Sequence, residues 1–255
     1  MSDNWGTPAQ GPPPPRPARS DPRTVLWVVA IVAVVAVLVR SHHISRLQIL
    51  FFLVAIPSVI LHEISHGAVA LAYGDDTAKR AGRLTLNPLP HVDPFGTLIL
   101  PALFILSGSS GYIAYAKPVP VNVSRLRHPR NESVVVSLVG PALNIALALG
   151  LGFAYRFAVP VATQGLALDA QPTWALLLFL GGYANVILAA FNLIPLPPLD
   201  GSAVVERLLP TRALPAYYRI RPFTIVLPLV LIVLAPSVLQ SFFTWALNQW
   251  YRVVF

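Results

Sequence analysis

The residues His62-Glu63-Ile64-Ser65-His66 lie inside an apolar stretch running from Leu50 to Tyr73. In a helix, His62 and His66 stand one turn apart on one face. At that spacing two imidazoles can share a zinc ion while the neighbouring glutamate acts as general base. Ionisable groups at membrane depth are costly, and a helix that only fills space gains nothing from them. The chain has no cysteine, so thiolate ligands are excluded and any metal site must use His, Asp or Glu. These residues therefore point to zinc-assisted hydrolysis, with His62 and His66 as metal ligands and Glu63 as the base.

The elements that position them must be membrane helices. Of 255 residues, 55% are hydrophobic and 11% charged, and the mean hydropathy is +0.66, far from an ordinary soluble domain. The net charge of +8 forms no single patch. Its basic residues sit in short loops between apolar runs, which reads as a topology signal and excludes nucleic acid as a partner. Residues 1–23 are polar and proline-dense and read as a disordered tail. The remainder, 24–255, reads as one integral membrane domain.

Apolar runs at 24–39, 47–73, 133–155, 173–199 and 222–247 predict about five full spans of an all-α, polytopic helical bundle in the lipid bilayer. A further run, 94–106, is too short to cross comfortably and is broken by Gly96 and Pro101. If it crossed, the basic residues would divide eight against ten between the two sides; if it re-enters, fourteen share the tail's side against four. The excess of basic residues on the cytoplasmic side then predicts a re-entrant segment and a cytoplasmic N-terminus. Leu84-Thr85-Leu86 and Pro118-Val119-Pro120-Val121, near the cytoplasmic face, predict minor β elements able to offer an edge to an extended substrate.

In this topology the helix bearing His62 and His66 runs inward, with the histidines about 10 Å from its end at roughly 1.5 Å per residue. The helix from Thr173 also runs inward and ends in Asn192-Leu193-Ile194-Pro195-Leu196-Pro197-Pro198-Leu199-Asp200-Gly201. Its three prolines prevent a regular helix and bring Asp200 to a comparable depth. Asp200 is thus available as a third ligand, and two histidines with one carboxylate leave a position open for water, as hydrolytic zinc sites require. A membrane metal transporter lined by intramembrane His and Asp is the alternative. It gives Glu63 and the 192–201 element no task, and the chain has no His-rich loop.

Further motifs accompany the HExxH sequence: Asn87-Pro88, Asp93-Pro94-Phe95-Gly96-Thr97, Ala116-Lys117-Pro118-Val119-Pro120-Val121-Asn122, Gly140-Pro141-Ala142-Leu143-Asn144, and Asn192 through Asp200-Gly201. In this set and order, across roughly residues 50–202, the chain resembles the site-2 protease family of intramembrane zinc metalloproteases. The resemblance implies that His62, His66 and Asp200 bind Zn2+ and that Glu63 is catalytic. It implies that Asn192 faces the active site, either polarising the scissile carbonyl or steadying the broken helix end. The implied reaction is hydrolysis of peptide bonds within or near transmembrane segments of membrane protein substrates. The implied location is the cell membrane, as a multi-pass protein of a bacterial plasma membrane with the site toward the cytoplasm. The spacing between Asp93 and Gly140 leaves no room for a PDZ-type domain, and about 55 residues after Asp200 leave none for a CBS-type domain. The expectation is a minimal member of the family.

Other polar residues carry plainer expectations. Asn144 follows Pro141, which frees a helix carbonyl, so a structural hydrogen bond is its expected task. Gly67 and Gly140 are expected to allow close helix approach. His91 is expected at the interface, and Asp75, Asp76, His42, His43 and His128 in water.

Overall fold

The computed structural model describes residues 45–93 and 117–255, all within one compact unit. The tail, the apolar run at 24–39 with His42 and His43, and the segment 94–106 lie outside the described residues. Helix α1 (Arg46–Ala72) opens on a reciprocal cap. The Ser45 hydroxyl accepts from the Gln48 amide at 3.3 Å, and Gln48 Oε1 accepts from the Ser45 amide at 2.5 Å. A single turn, α2 (Thr77–Arg80), precedes α3 (Pro129–Ala158). Pro129 suits the first position of α3, where no amide donor is needed. Glu132 closes that turn by accepting from the His128 amide at 2.9 Å. The short α4 (Val161–Gln164) leads to α5 (Thr173–Asn192), followed by α6 (Ser202–Leu208), α7 (Leu214–Ile220), α8 (Leu227–Leu234) and α9 (Pro236–Val254).

Among the described residues, α1, α3 and α5 are long and apolar enough to cross a membrane, with mean hydropathies of 2.0, 2.2 and 1.9. The protein is therefore an all-helical, multi-pass membrane protein. The run at 222–247 is not one continuous helix. A 3-10 stretch (Arg221–Val226) passes into α8, and the chain restarts at Pro236, whose missing amide cannot continue the helical ladder. No strand forms among the described residues. Residues 84–86 and 118–121, anticipated as β elements, are irregular. In the second, Pro118 and Pro120 have no donor to give a ladder.

Side-chain contacts fix the directions of the helices. The Arg127 amide donates to the Tyr73 carbonyl at 3.2 Å, so α1 ends where α3 begins. At the other end, the Arg46 guanidinium donates to the Asp169 and Gln171 carbonyls and to Thr173 Oγ1, so α1 and α5 start together. The Tyr155 hydroxyl meets Gln171 Oε1 at 2.9 Å there, which makes α3 antiparallel to both. Trp250 of α9 donates from Nε1 to the Ala148 carbonyl at 2.9 Å, its ring against Gly152 and Gly182. The ends of α1 and α5 thus share one end of the bundle, and the chain's C-terminus reaches the other.

At the shared end Asp75 is fully buried, contrary to its expected place in water. Its Oδ1 accepts from the Thr77 amide at 3.0 Å and from the Thr77 hydroxyl, and its Oδ2 accepts from the Asn122 amide at 2.6 Å. Arg125 Nε lies 3.9 Å from Asp75, and Arg125 Nη2 pairs with Asp76 at 2.8 Å. Burial acts to raise the Asp75 pKa. The hydrogen bonds from Thr77 and Asn122, with Arg125 adding to them, outweigh it and hold the carboxyl below the ordinary carboxylate range. This clasp ties the exit of α1 to the 117–128 segment. Its contribution is full above the unfolded pKa of about 4 and is lost as pH falls through the lower folded value. Asp75→Asn should cost about 1–3 kcal/mol and flatten the acid limb of stability, read as thermal unfolding in detergent across pH.

Candidate metal and catalytic site

His62 and His66 project from the same face of α1 and are buried. Each ring is held from behind. His62 Nδ1 lies 2.5 Å from Asn144 Oδ1, and His66 Nδ1 lies 2.6 Å from the Val136 carbonyl, both on α3. An amide oxygen and a carbonyl only accept, so each neutral imidazole carries its proton on Nδ1 and leaves Nε2 as a bare lone pair. Both Nε2 atoms then converge on Asp200 Oδ2, at 3.1 and 3.4 Å. Three acceptors facing one another require a cation or an added proton between them.

The fit to zinc is close. Ligand atoms each about 2.0–2.1 Å from a tetrahedral zinc stand roughly 3.3 Å apart. The three potential ligand atoms here all lie within 4.8 Å of one another. Two imidazoles and one carboxylate form a hydrolytic donor set, and the Nδ1 partners are the outer hydrogen bonds that orient ligating histidines.

Asp200 arrives on the broken end of α5. Beyond Asn192 the chain turns through Pro195 and a cis Pro197-Pro198 bond and folds back, so that the Gly201 amide donates to the Asn192 carbonyl at 2.7 Å. A Cβ at Gly201 would fall 2.3 Å from the Leu193 carbonyl oxygen, so only glycine allows this return. The Asn192 side chain donates to the Leu188 carbonyl at 3.0 Å. Both contacts belong to the helix end, the first through the main chain of Asn192 and the second through its side chain.

Glu63 accepts at Oε2 from the Val119 amide at 2.8 Å. Within Pro118-Val119-Pro120 that amide is the only donor, and it is committed to Glu63. The Val119 amide is therefore not free to pair with another strand. Gly67 faces Val119 of this loop, Leu84, and Ala78 on α2, so it allows close approach of both a helix and the loop. His91 is buried and donates from Nε2 to the Thr85 carbonyl at 3.0 Å, a structural contact within the loop. Asn144 does not serve the carbonyl freed by Pro141; it joins His62 to Asn185. Asn185 and Ser58 carried no signal in the sequence beyond being polar residues within apolar runs.

The architecture defines a multi-pass helical membrane protein with a buried His-His-carboxylate cluster and an adjacent glutamate. The model of peptidase family M50 matches residues 157–235, which include Asn192 and Asp200. YwhC of Bacillus subtilis is 41% identical over 157 residues, covering 61% of this chain and 67% of that protein. Rip2 of Mycobacterium tuberculosis is 34% identical over 186 residues, covering 73% and 67%. Rip2 of Mycolicibacterium smegmatis is 35% identical over 150 residues, covering 58% and 53%, so the match spans about half of that relative. All three are named provisionally as zinc metalloproteases. No solved structure matches the chain. The chain belongs to peptidase family M50, which decides against the transporter alternative.

Gly140 is where α3 meets the two histidines: a Cβ there would fall 2.5 Å from His66 Nε2 and 2.6 Å from His62 Cε1. Gly140→Ala should therefore displace both rings. Zinc measured on the purified variant should fall well below one ion per chain with helix content retained, and a full complement of zinc would contradict this geometry.

Proposed function

We propose that this M50 peptidase is a zinc metalloprotease that hydrolyses peptide bonds within or near transmembrane segments of membrane proteins. The observation that carries the reading is the convergence of two Nε2 lone pairs on one carboxylate oxygen, with both Nδ1 protons already committed. His62, His66 and Asp200 would hold the ion. Zinc, when bound, acidifies water and polarises the scissile carbonyl. Glu63 acts as general base and then general acid, taking a proton and returning it to the leaving amine. The Val119 amide holds Glu63 Oε2 and leaves Oε1 to move that proton. Asn192 steadies the last turn of α5 through its side chain, and its main-chain carbonyl holds the return of the loop bearing Asp200.

The same reading covers topology. Because α1 ends where α3 begins, the chain between them must return to the side it left, as a re-entrant 94–106 segment would. With a first span at 24–39 and a last one through α8 and α9, this gives five spans. The tail and the metal site lie toward the cytoplasm, and the C-terminus lies outside. The basic loops favour this orientation in the cell membrane of a bacterium.

The test is zinc content and cleavage of a membrane-spanning reporter by the native chain, Glu63→Gln and Asp200→Ala, purified in parallel. Glu63→Gln should keep about one zinc and lose turnover by at least about 10²–10⁴-fold. Asp200→Ala should lose both. Zinc unaffected by the loss of Asp200 would show the third ligand to be misplaced.

A further inference from the structure

We propose that Asn185 is a positioning residue of the metal site, acting through Asn144 to fix which nitrogen of His62 carries the proton. The proposal rests on the zinc reading above. Asn144 and Asn185 are both fully buried, on α3 and α5, and Ser58 lies buried on α1. Five hydrogen bonds connect them to one another, to the backbone and to His62. Ser58 donates to the Val54 carbonyl at 2.8 Å. Asn185 Nδ2 donates to Ser58 Oγ at 2.9 Å and to the Gly181 carbonyl at 2.8 Å. Asn144 Nδ2 donates to Asn185 Oδ1 at 2.6 Å, and Asn144 Oδ1 faces His62 Nδ1 at 2.5 Å.

The line has only one possible polarity. An amide side chain can be turned end for end, so its direction must be set by a partner that cannot reverse. The Gly181 carbonyl is that partner, because it can only accept. It forces the Asn185 NH2 group toward itself and toward Ser58, whose own proton is spent on Val54. Asn185 Oδ1 must then face Asn144, the Asn144 NH2 group must face Asn185, and the Asn144 oxygen must face His62. His62 is left with its proton on Nδ1 and a bare Nε2 toward Asp200, the form a metal requires. A backbone carbonyl on α5 thus selects the tautomer of a ligand on α1.

Buried amides in a helical bundle can also serve only to join helices, and the experiment separates the two roles. Zinc retention against increasing chelator and the visible spectrum of the cobalt-substituted protein are measured on the full chain in detergent. Asn185→Leu removes the acceptor that orients Asn144 and should weaken zinc about tenfold or more, the scale of lost outer hydrogen bonds, with a shifted cobalt spectrum. Asn185→Asp, protonated at this buried position, keeps a donor for the Gly181 carbonyl and an oxygen facing Asn144, and should stay within about threefold of the native affinity, well inside that scale. Ser58→Ala should do the same, because Gly181 still sets the direction. Native affinity in Asn185→Leu, or equal losses in the leucine and aspartate variants, would overturn the proposal. If the leucine variant does not fold, Asn185→Ala takes its place under the same criteria. Absence of zinc from the native chain would instead overturn the metal reading itself.

Discussion

Both histidines of α1 have their Nδ1 protons engaged by acceptors on α3, and the site depends on that constraint. A neutral imidazole has one proton to place; once it is drawn to Asn144 or to the Val136 carbonyl, the other nitrogen can act only as a lone pair. The packing follows from bringing α3 close enough to do this. Gly140 lies against the rings because any side chain there would occupy the space of His66 Nε2. The antiparallel course of α3 allows His66 to meet Val136 and His62 to meet Asn144, two turns further along α3.

Asp200 completes the cluster by a different means. A continuous α5 would carry its later residues past the histidines, so the helix has to stop and turn back. The prolines end it, the Gly201 amide closes the return on the Asn192 carbonyl, and the carboxylate is left 3.1 Å from His62 and 3.4 Å from His66. Backbone freed at membrane depth must find partners inside the protein, and the Asn192 carbonyl, used by Gly201, is one such partner. One region therefore ends a helix, satisfies part of its own backbone and presents a carboxylate to the two histidines.

Much of the site was legible in the sequence, because its residues are chemically out of place. His62, Glu63 and His66 stand out in an apolar run, and a Pro-rich break followed by Asp-Gly stands out at the end of another. Helix existence was legible for the same reason of composition, and the common direction of α1 and α5 follows from counting basic residues between spans. Three-dimensional partnerships were not legible. Asp75 reads as a loop acid until the Asn122 amide, 47 positions away, is seen to bond it. Asn144 reads as a partner for the carbonyl freed by Pro141, yet its NH2 group donates across to Asn185 on α5 while its oxygen faces His62 on α1. The expected strand at 118–121 fails because alternation signals an edge only if the alternate amides can donate, and proline removes them.

The Pro118-Val119-Pro120 segment shows how the site is kept ready for chemistry. A glutamate beside two histidines that could hold a cation would be drawn toward the same ion, and a carboxylate that joined the coordination could not also take a proton. Holding it requires a donor outside the ligand cluster, on backbone with few competing donors. A valine between two prolines meets that need: one amide is available, the flanking positions have none, and the fixed ring torsions limit how far the amide can turn. Val119 is itself buried, with Gly67 giving it room beside α1. The loop that could have offered a substrate a row of hydrogen bonds instead fixes one oxygen of Glu63. Any group that took the Val119 amide would release Glu63 Oε2 in doing so.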